Sequence, residues 1–567
     1  MRTRPPFALS ALLLSGALLT SCAHGGSPQP SSPASAATAT ATAAPPRQVR
    51  VRLLALNDFH GHLAPPPGSS GEVRTGAGKA QAGGAAYLAR HLATLRARDP
   101  EHTVVVAAGD LIGASPLLSA LFHDEPTIEA LNLAGLDIAA VGNHEFDEGT
   151  VELKRMQSGG CHPVDGCQDG TPFTGARFQY LSANVLTEQG KPLFPAYALR
   201  EFEGVKVAFI GMTLEGTPEI VDASGIPGLR FQDEVETVNA LVPELKKQGA
   251  EAIVVIVHEG GNQSGTYDGC EGISGPIVAI NQGLDRAVDV LITGHTHQAY
   301  NCVLEGRRVT SAMSYGRLLT DIELVLDGAT GDVVETSARN LPVTRDVEAV
   351  PEVQALIARY DALAAPLRDR VIGKVSARLQ QPSAREWPSG ESPLGNVIAD
   401  AQLAATKDAG AQVAFINPGG IRAELDAGDV TYGEVFSVQP FGNNLVTLTL
   451  TGAQLRALLE QQWPEGGGPS RVLAPSRGFS YTWKASAPVG QRVDPASLRL
   501  QGKPVDPQGR YRVTVNSFLA SGGDGLRVFT EGTERRGGMV DADALEAWLK
   551  AHSPLTPPET NRVTRVE

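Results

Sequence analysis

No cluster of lysine and arginine interrupts this sequence, and its 62 acidic residues outnumber its 48 basic ones, for a net charge of -14. A chain so charged lacks the electrostatic footprint that a polyanion needs, so a nucleic-acid polymer is not an expected partner. The apolar stretch from Phe7 to Leu19 falls short of the ~20 residues of a permanent membrane-spanning helix. No repeat period marks a solenoid. The segment "GAGKA" at residues 76–80 lacks the spacing of a phosphate-binding P-loop and reads as a loop. Cysteine is scarce, with five in 567 residues.

What is present begins with an export signal: Arg2 and Arg4 precede the short apolar stretch, which runs into "LTSC". That tetrapeptide resembles the bacterial lipobox, which implies that residues 1–22 form a lipoprotein signal ending at a lipidated Cys22. The protein would then be membrane-anchored outside the cytoplasm, and Ala23 after the cysteine suggests the outer membrane of a Gram-negative cell or its periplasmic face. Cleavage within "ASAATATATAA", giving a soluble secreted protein, is the alternative. Residues 23–46 are almost all Ser, Pro, Ala, Thr and Gly, too poor in apolar surface to fold, and read as a flexible tether. Four cysteines remain in an oxidising compartment. Cys161 and Cys167 bracket "CHPVDGC" and are the nearer pair, leaving Cys270 with Cys302; a zinc knuckle is the rival reading of that loop, but a second half of the ligand set is absent.

The chain is longer than one hydrophobic core usually spans. Residues 47–345 alternate Val/Ile/Ala runs with helical stretches such as "GGAAYLARHLATLRAR", the pattern of α/β layering on a buried sheet. Residues 346–370 have helical spacing with a proline near each end, and read as a linker helix. Residues 371–567 restart with their own strands and helices, and read as a second, smaller α/β domain. A monomer is expected.

Polar residues recur where apolar runs stop. "DIAAVGNHEFDEG" ends at Asn143, His144, Glu145 and Asp147; "VRVRLLALNDFHGH" at Asp58 and His60; "TVVVAAGD" at Asp110; "AIVVIVHEG" at His258; "DVLITGHTH" at His295 and His297. Each ending alone is ordinary turn vocabulary. In a parallel sheet, however, the carboxyl ends of strands converge on one crevice, which would gather these groups. Carboxylate, imidazole and amide together suit zinc, manganese, iron or cobalt better than calcium. The donors are too many for one tetrahedral ion, and two divalent ions would use them.

Taken in order, "DFHGH", "GD", "GNHEFD", "HEG" and "GHTH" resemble the calcineurin-like metallophosphoesterase signature. "ESPLGNVIADA", "NPGGIRAEL", "PFGNN" and "NSFLASGGDG" resemble the C-terminal domain of the 5'-nucleotidase family, which includes the periplasmic UDP-sugar hydrolases. The resemblance implies a four-layer αββα sandwich, an adjoining substrate-binding domain and metal-assisted hydrolysis of nucleotides without a covalent intermediate. It places Asp58, His60 and His297 on a first metal, Asn143, His258 and His295 on a second, and Asp110 between them. His297 stands where some relatives have glutamine. His144 would act on the phosphate, oriented by Asp147, while Glu145 reads as structural and His62 as outer support. His123 and His162 fall outside the motifs and have no expected catalytic role.

For the substrate, the resemblance implies a base stacked between Phe441 and Phe518, although two phenylalanines are by themselves more often core. Asp524 would bind the ribose, Arg422 and Asn417 the phosphate or ribose, Gly420 would permit close approach, and Asn443 could contact the base. Some relatives have an arginine where this chain has Gly390, and Arg385 lies nearby. A 2',3'-cyclic phosphodiesterase, a 3'-nucleotidase, a UDP-sugar hydrolase, a thiosulfate-cleaving enzyme and a non-catalytic nucleotide-capturing lipoprotein are the alternatives.

Overall fold

The computed structural model describes residues 47–567 except 67, 77, 383–385 and 464–469. Cys22, the signal, the tether to residue 46 and Arg385 lie outside the described residues.

The first half builds two six-stranded sheets. Its strands are β1 (Gln48–Leu56), β2 (Thr103–Ala107), β3 (Ile138–Ala140), β4 (Gln179–Leu181), β5 (Tyr197–Phe202) and β6 (Val205–Met212). They continue with β7 (Ala250–Val257), β8 (Val290–Thr293), β9 (Ala299–Leu304), β10 (Arg307–Ala312), β11 (Leu318–Asp327) and β12 (Val333–Pro342). One sheet has the order β12-β11-β1-β2-β3-β4 and the other β9-β10-β8-β7-β6-β5. Strands β1 to β4 are mutually parallel, as are β6, β7, β8 and β10, and antiparallel strands close the edges.

Strand alternation sets the layers. Val49, Val51, Leu53 and Ala55 of β1 meet Val207 and Phe209 of β6 and Val254 and Ile256 of β7 in a dry layer between the sheets. Leu54 and Leu56 point the other way, into a core shared with helices α1 (Ala85–Arg96) and α2 (Glu125–Ala134). Helix α3 (Gly149–Ser158) adds Leu153 and Met156 to that core. On the far side, Ile253, Val255 and Val257 pack beneath α4 (Glu234–Lys247) and α5 (Pro276–Gly283). The result is an αββα sandwich. Helix α4 illustrates local agreement: the Asp233 side chain caps it by accepting from the Glu236 N–H, Glu234 and Glu236 occupy its first turn, and Lys246 and Lys247 its last, each complementing the helix dipole.

Helix α6 (Pro351–Arg368) buries Val353, Leu356, Tyr360 and Ala364 against the α1/α2 layer, so it packs on the first half along its length. Beyond it, β13 (Val413–Ile416), β14 (Asn444–Thr451), β15 (Ala474–Pro475), β16 (Arg510–Asn516) and β17 (Thr533–Val540) form a five-stranded sheet of order β15-β13-β16-β14-β17. Helices α7 (Pro393–Ala405) and α8 (Asp541–Ala551) cover one face through Val397, Ile398, Leu545 and Leu549. The C-terminal segment is fastened by a buried pair in which Arg562 donates twice to Asp400 at 2.8 Å. Cys161 is bonded to Cys167 and Cys270 to Cys302, the pairs that sequence proximity favours.

Residues 46–567 form one compact unit. The two halves meet at the turn before β14: Gly442 has φ of 59°, and a Cβ there would lie 2.4 Å from Ala114 Cα, so glycine is what lets this turn close on the first half. Among the described residues no helix is long and apolar enough to cross a membrane.

Candidate active site

The polar tips converge. Asp58 and His60 follow β1, Asp110 follows β2, Asn143 follows β3, His258 follows β7, and His295 and His297 follow β8. The loops are knitted by backbone bonds: Asp58 N–H donates to Gly109 O at 3.1 Å, His60 N–H to Asp110 O at 3.0 Å and Tyr315 N–H to Asp58 O at 2.7 Å. Asp58, His60, Asp110, His295 and His297 all have positive φ, between 46° and 69°.

Two donor groups result, one of Asp58, His60 and His297 and one of Asp110, His258 and His295. In the first, His60 Nε2 lies 3.0 Å from His297 Nε2, and His297 Nε2 lies 3.5 Å from Asp58 Oδ1. In the second, His258 Nε2 lies 3.0 Å from Asp110 Oδ2 and 3.1 Å from Asn143 Oδ1, which is 3.0 Å from His295 Nδ1. Asp110 Oδ2 also lies 3.7 Å from His60 Nε2, so this carboxylate joins the groups. A tetrahedral ion with ligands at about 2.1 Å separates them by about 3.4 Å, and the donors already stand near that spacing.

The Nδ1 of His60 lies 2.9 Å from Gly113 O and that of His258 2.7 Å from Ala108 O, which points both Nε2 atoms inward. Burial would lower the His258 pKa, but Asp110 and Asp58 outweigh it and raise it to about 10, so ligation there displaces a proton from Nε2. Burial lowers the pKa values of His60 and His295 to about 3, which keeps these imidazoles unprotonated. Burial likewise raises the Asp58 carboxyl to about 7. A cation among these groups would reverse the penalty on charge. The residues therefore fit two divalent ions.

His144 is set apart from the donors. Its Nδ1 lies 2.7 Å from Asp147 Oδ2 and its backbone N–H donates to Asp110 Oδ1 at 2.9 Å, leaving Nε2 free. Burial alone would lower its pKa, but Asp147 and Asp110 outweigh that and carry it to about 9. Asp147 in turn accepts from Asn444 Nδ2 at 3.1 Å, a bond from β14 to the first half.

The turn that meets Ala114 carries Phe441, 46% exposed, and Phe518 is 47% exposed; neither is core, which sequence periodicity could not decide. The Arg422 guanidinium lies 5.7 Å from the Phe441 ring centre. Asn417 Nδ2 donates to Asp524 Oδ2 at 2.8 Å, and the Ser517 hydroxyl donates to Asn443 Oδ1 at 3.3 Å. Gly420 backs onto the Asn417 side chain, 2.8 Å from where its Cβ would lie. Gly390, at φ of 90°, backs onto Val472, which a Cβ would approach to 2.3 Å; the backbone leaves no room there for the arginine of some relatives.

Asn57, Tyr315 and Asn444 had no assigned role in the sequence, whereas His62 was expected as outer support and Glu145 as structural. Asn57 donates to Asp58 Oδ2 at 2.6 Å and Tyr315 stacks on His62 at 3.9 Å, while His62 Nδ1 faces His60 O at 2.8 Å. Glu145 is buried and its carboxylate accepts from Gly142 N–H at 2.6 Å, Asp110 N–H at 2.9 Å and Leu111 N–H at 2.8 Å. The place of Asn57 beside Asp58 was a usable signal; Tyr315 and Asn444 gave none.

Residues 51–299 match the calcineurin-like phosphoesterases and residues 371–531 match the 5'-nucleotidase C-terminal domain. The sandwich with its strand-end donors thus defines the class, a calcineurin-like phosphoesterase. Endonuclease YhcR of Bacillus subtilis (strain 168) is 34% identical over 84% of this chain and 38% of its own length. Cell wall protein Lmo0130 of Listeria monocytogenes is 31% identical over 85% of this chain and 64% of its own length. The chain therefore spans between about a third and two thirds of these curated relatives. The crystal structure of a 5'-nucleotidase precursor from Thermus thermophilus superimposes with a TM-score of 0.56 at 28% identity, covering 91% of this chain and 99% of that one. The chain belongs to the 5'-nucleotidase family.

Proposed function

We propose that this protein is an extracytoplasmic, dinuclear-metal phosphohydrolase that releases phosphate from nucleoside 5'-monophosphates and related nucleotides, anchored through a lipid on Cys22. The observation that carries the reading is the convergence of two donor groups joined by Asp110, with the turn of the second half that holds Gly442 closing on Ala114, next to the Gly113 carbonyl that faces His60. Family membership and the 5'-nucleotidase from Thermus thermophilus support the nucleotide class.

Asp58, His60 and His297 would hold one ion and Asn143, His258 and His295 the other, with Asp110 shared. When bound, such ions neutralise charge on phosphoryl oxygens and lower the pKa of water. The chain's own residues then do the rest. His144, carrying a proton on Nε2, donates to the phosphoryl or leaving oxygen, and Asp147 fixes its ring and favours the charged form. Phe441 and Phe518 hold the base between ring faces, which accept any nucleobase. Arg422 and Asn417 supply donors to phosphate or ribose, Asp524 accepts from ribose hydroxyls, and Asn443 meets the base edge, while Gly420, expected to permit close substrate approach, instead makes room for the Asn417 side chain.

The test is phosphate release by the chain beginning after Cys22, with manganese, zinc or cobalt added and chelator controls. AMP, other 5'-nucleotides, a 3'-nucleotide, a 2',3'-cyclic nucleotide and UDP-glucose form the panel. Metal-dependent release from 5'-nucleotides is expected, with His144→Ala retaining its metal while turnover falls roughly 10²–10⁴-fold. Metal binding without turnover of any nucleotide would overturn the reading.

A further inference from the structure

A second collection of metal-capable side chains lies away from the two donor groups. His123, Glu148, Glu152 and His162 each offer a ligand atom, and all four atoms fall within 4.8 Å of one another. They come from separate places in the chain. His123 precedes α2, Glu148 caps α3, Glu152 lies in the first turn of α3, and His162 stands in the loop that the Cys161–Cys167 disulfide closes.

Charge in this cluster is unbalanced. His123 Nδ1 lies 2.7 Å from Glu148 Oε2 and its Nε2 2.9 Å from Asp165 Oδ2. Arg155 spans Glu152 and Glu125. Four carboxylates thus face one guanidinium and one imidazole pair, which leaves an excess of negative charge that a cation would satisfy. The imidazoles of His123 and His162 are stacked with centres 3.7 Å apart. Two imidazole nitrogens with two carboxylate oxygens make a donor set suited to zinc or a similar first-row divalent ion, and poorly suited to calcium.

We infer that His123, His162, Glu148 and Glu152 form a third divalent-cation site, which ties the disulfide loop to the start of α3. Its ligand Glu148 directly follows Asp147, and His123, Glu148 and Glu152 share with His144 and Asp147 the wall of a cavity of about 420 Å³ between the two halves. An ion here would brace the turn that carries Asp147 without touching the substrate. For His123 to coordinate, one of its nitrogens gives up its carboxylate partner, and Asp165 becomes an outer acceptor for the ring. The zinc-knuckle reading of "CHPVDGC" lacked a second half; the structure brings His123, Glu148 and Glu152 to His162 of that loop, whose cysteines are bonded to each other.

The test compares zinc content, by elemental analysis after gel filtration, in the full chain and in the His123→Ala/His162→Ala double variant. The variant should hold one equivalent fewer, whatever number the Asp110 groups retain, so this outcome does not depend on the proposed activity. Glu148→Gln, which keeps size and shape, should weaken the same equivalent by more than the roughly 10–100-fold typical of outer-shell changes. Zinc added to the chelated Asp110→Asn variant should raise its melting temperature by more than it raises that of the same variant lacking the His123/His162 pair. Equal zinc content in wild type and a folded double variant overturns the proposal. Unchanged zinc affinity in Glu148→Gln overturns it as well should the double variant not fold.

Discussion

Replacing Glu145 tests how the bridging carboxylate of Asp110 is held. Its two oxygens accept from three backbone N–H groups, Gly142 and Asp110 on one oxygen and Leu111 on the other, all within the loops that carry Asp110 and Asn143. An orphaned buried donor costs about 1–3 kcal/mol. Glu145→Ala orphans three, for a gross loss of about 3–9 kcal/mol, which water entering the cavity would reduce toward the lower end. Glu145→Gln keeps one accepting oxygen for Gly142 and Asp110 but turns an NH₂ toward the Leu111 N–H, so one donor is orphaned, at about 1–3 kcal/mol. The loss is partly offset, because burial and the neighbouring Asp110 raise the Glu145 pKa to about 8 and the neutral amide escapes that penalty. Hydrogen exchange resolves these amides individually: for Leu111, about tenfold faster exchange is expected per 1.4 kcal/mol lost. Gly142 and Asp110 amides should accelerate in the alanine variant and much less in the glutamine variant, and metal retained by the alanine variant should fall. Unchanged exchange at all three amides in Glu145→Ala would refute the argument.

Three further outcomes are expected. Phe441→Ala or Phe518→Ala should raise KM for nucleotides by roughly 5- to 150-fold, the equivalent of about 1–3 kcal/mol of stacking, while KM for a simple aryl phosphate stays put; equal effects on both substrates would remove the stacking role. Asn444→Ala severs the 3.1 Å bond to Asp147, and should lower kcat severalfold without changing metal content, as read by steady-state kinetics beside elemental analysis. Asp400→Ala leaves the Arg562 guanidinium buried without its carboxylate and should destabilise the second half by about 3–5 kcal/mol in denaturant unfolding, whereas loss of under 1 kcal/mol would show that the pair is solvated.

The strand-end residues were legible in the sequence because each closes an unbroken apolar run, and parallel strands deliver such endings to one rim. The four layers followed from the family resemblance, while the residues alone showed only strands and helices layered on a buried sheet; in the structure β1 and β7 send alternate residues to their two faces. Roles set by contacts across the fold were not. Glu145 reads as structural, but which backbone donors it serves is set only when the loop after β2 folds over it. The contact of Asn444 with Asp147 joins residues 297 positions apart, and no local pattern announces it. Phe441 and Phe518 are exposed, at 46% and 47%, a property of the folded chain rather than of composition. His123 and His162 looked idle in isolation, and only the course of α2, α3 and the disulfide loop places them together.

The left-handed backbone at Asp58, His60, Asp110, His295 and His297 bears on what a mutational scan of this rim would return. Among residues with a Cβ, aspartate, asparagine and histidine enter that conformation most readily, and β-branched residues least. Glycine would relax the chain but carries no donor atom. The same three side chains that can reach an ion are thus those that the backbone tolerates, so two independent filters select one short alphabet. Substitution by glutamate or cysteine, each a competent ligand in an ordinary loop, would be penalised here by conformation as well as by reach.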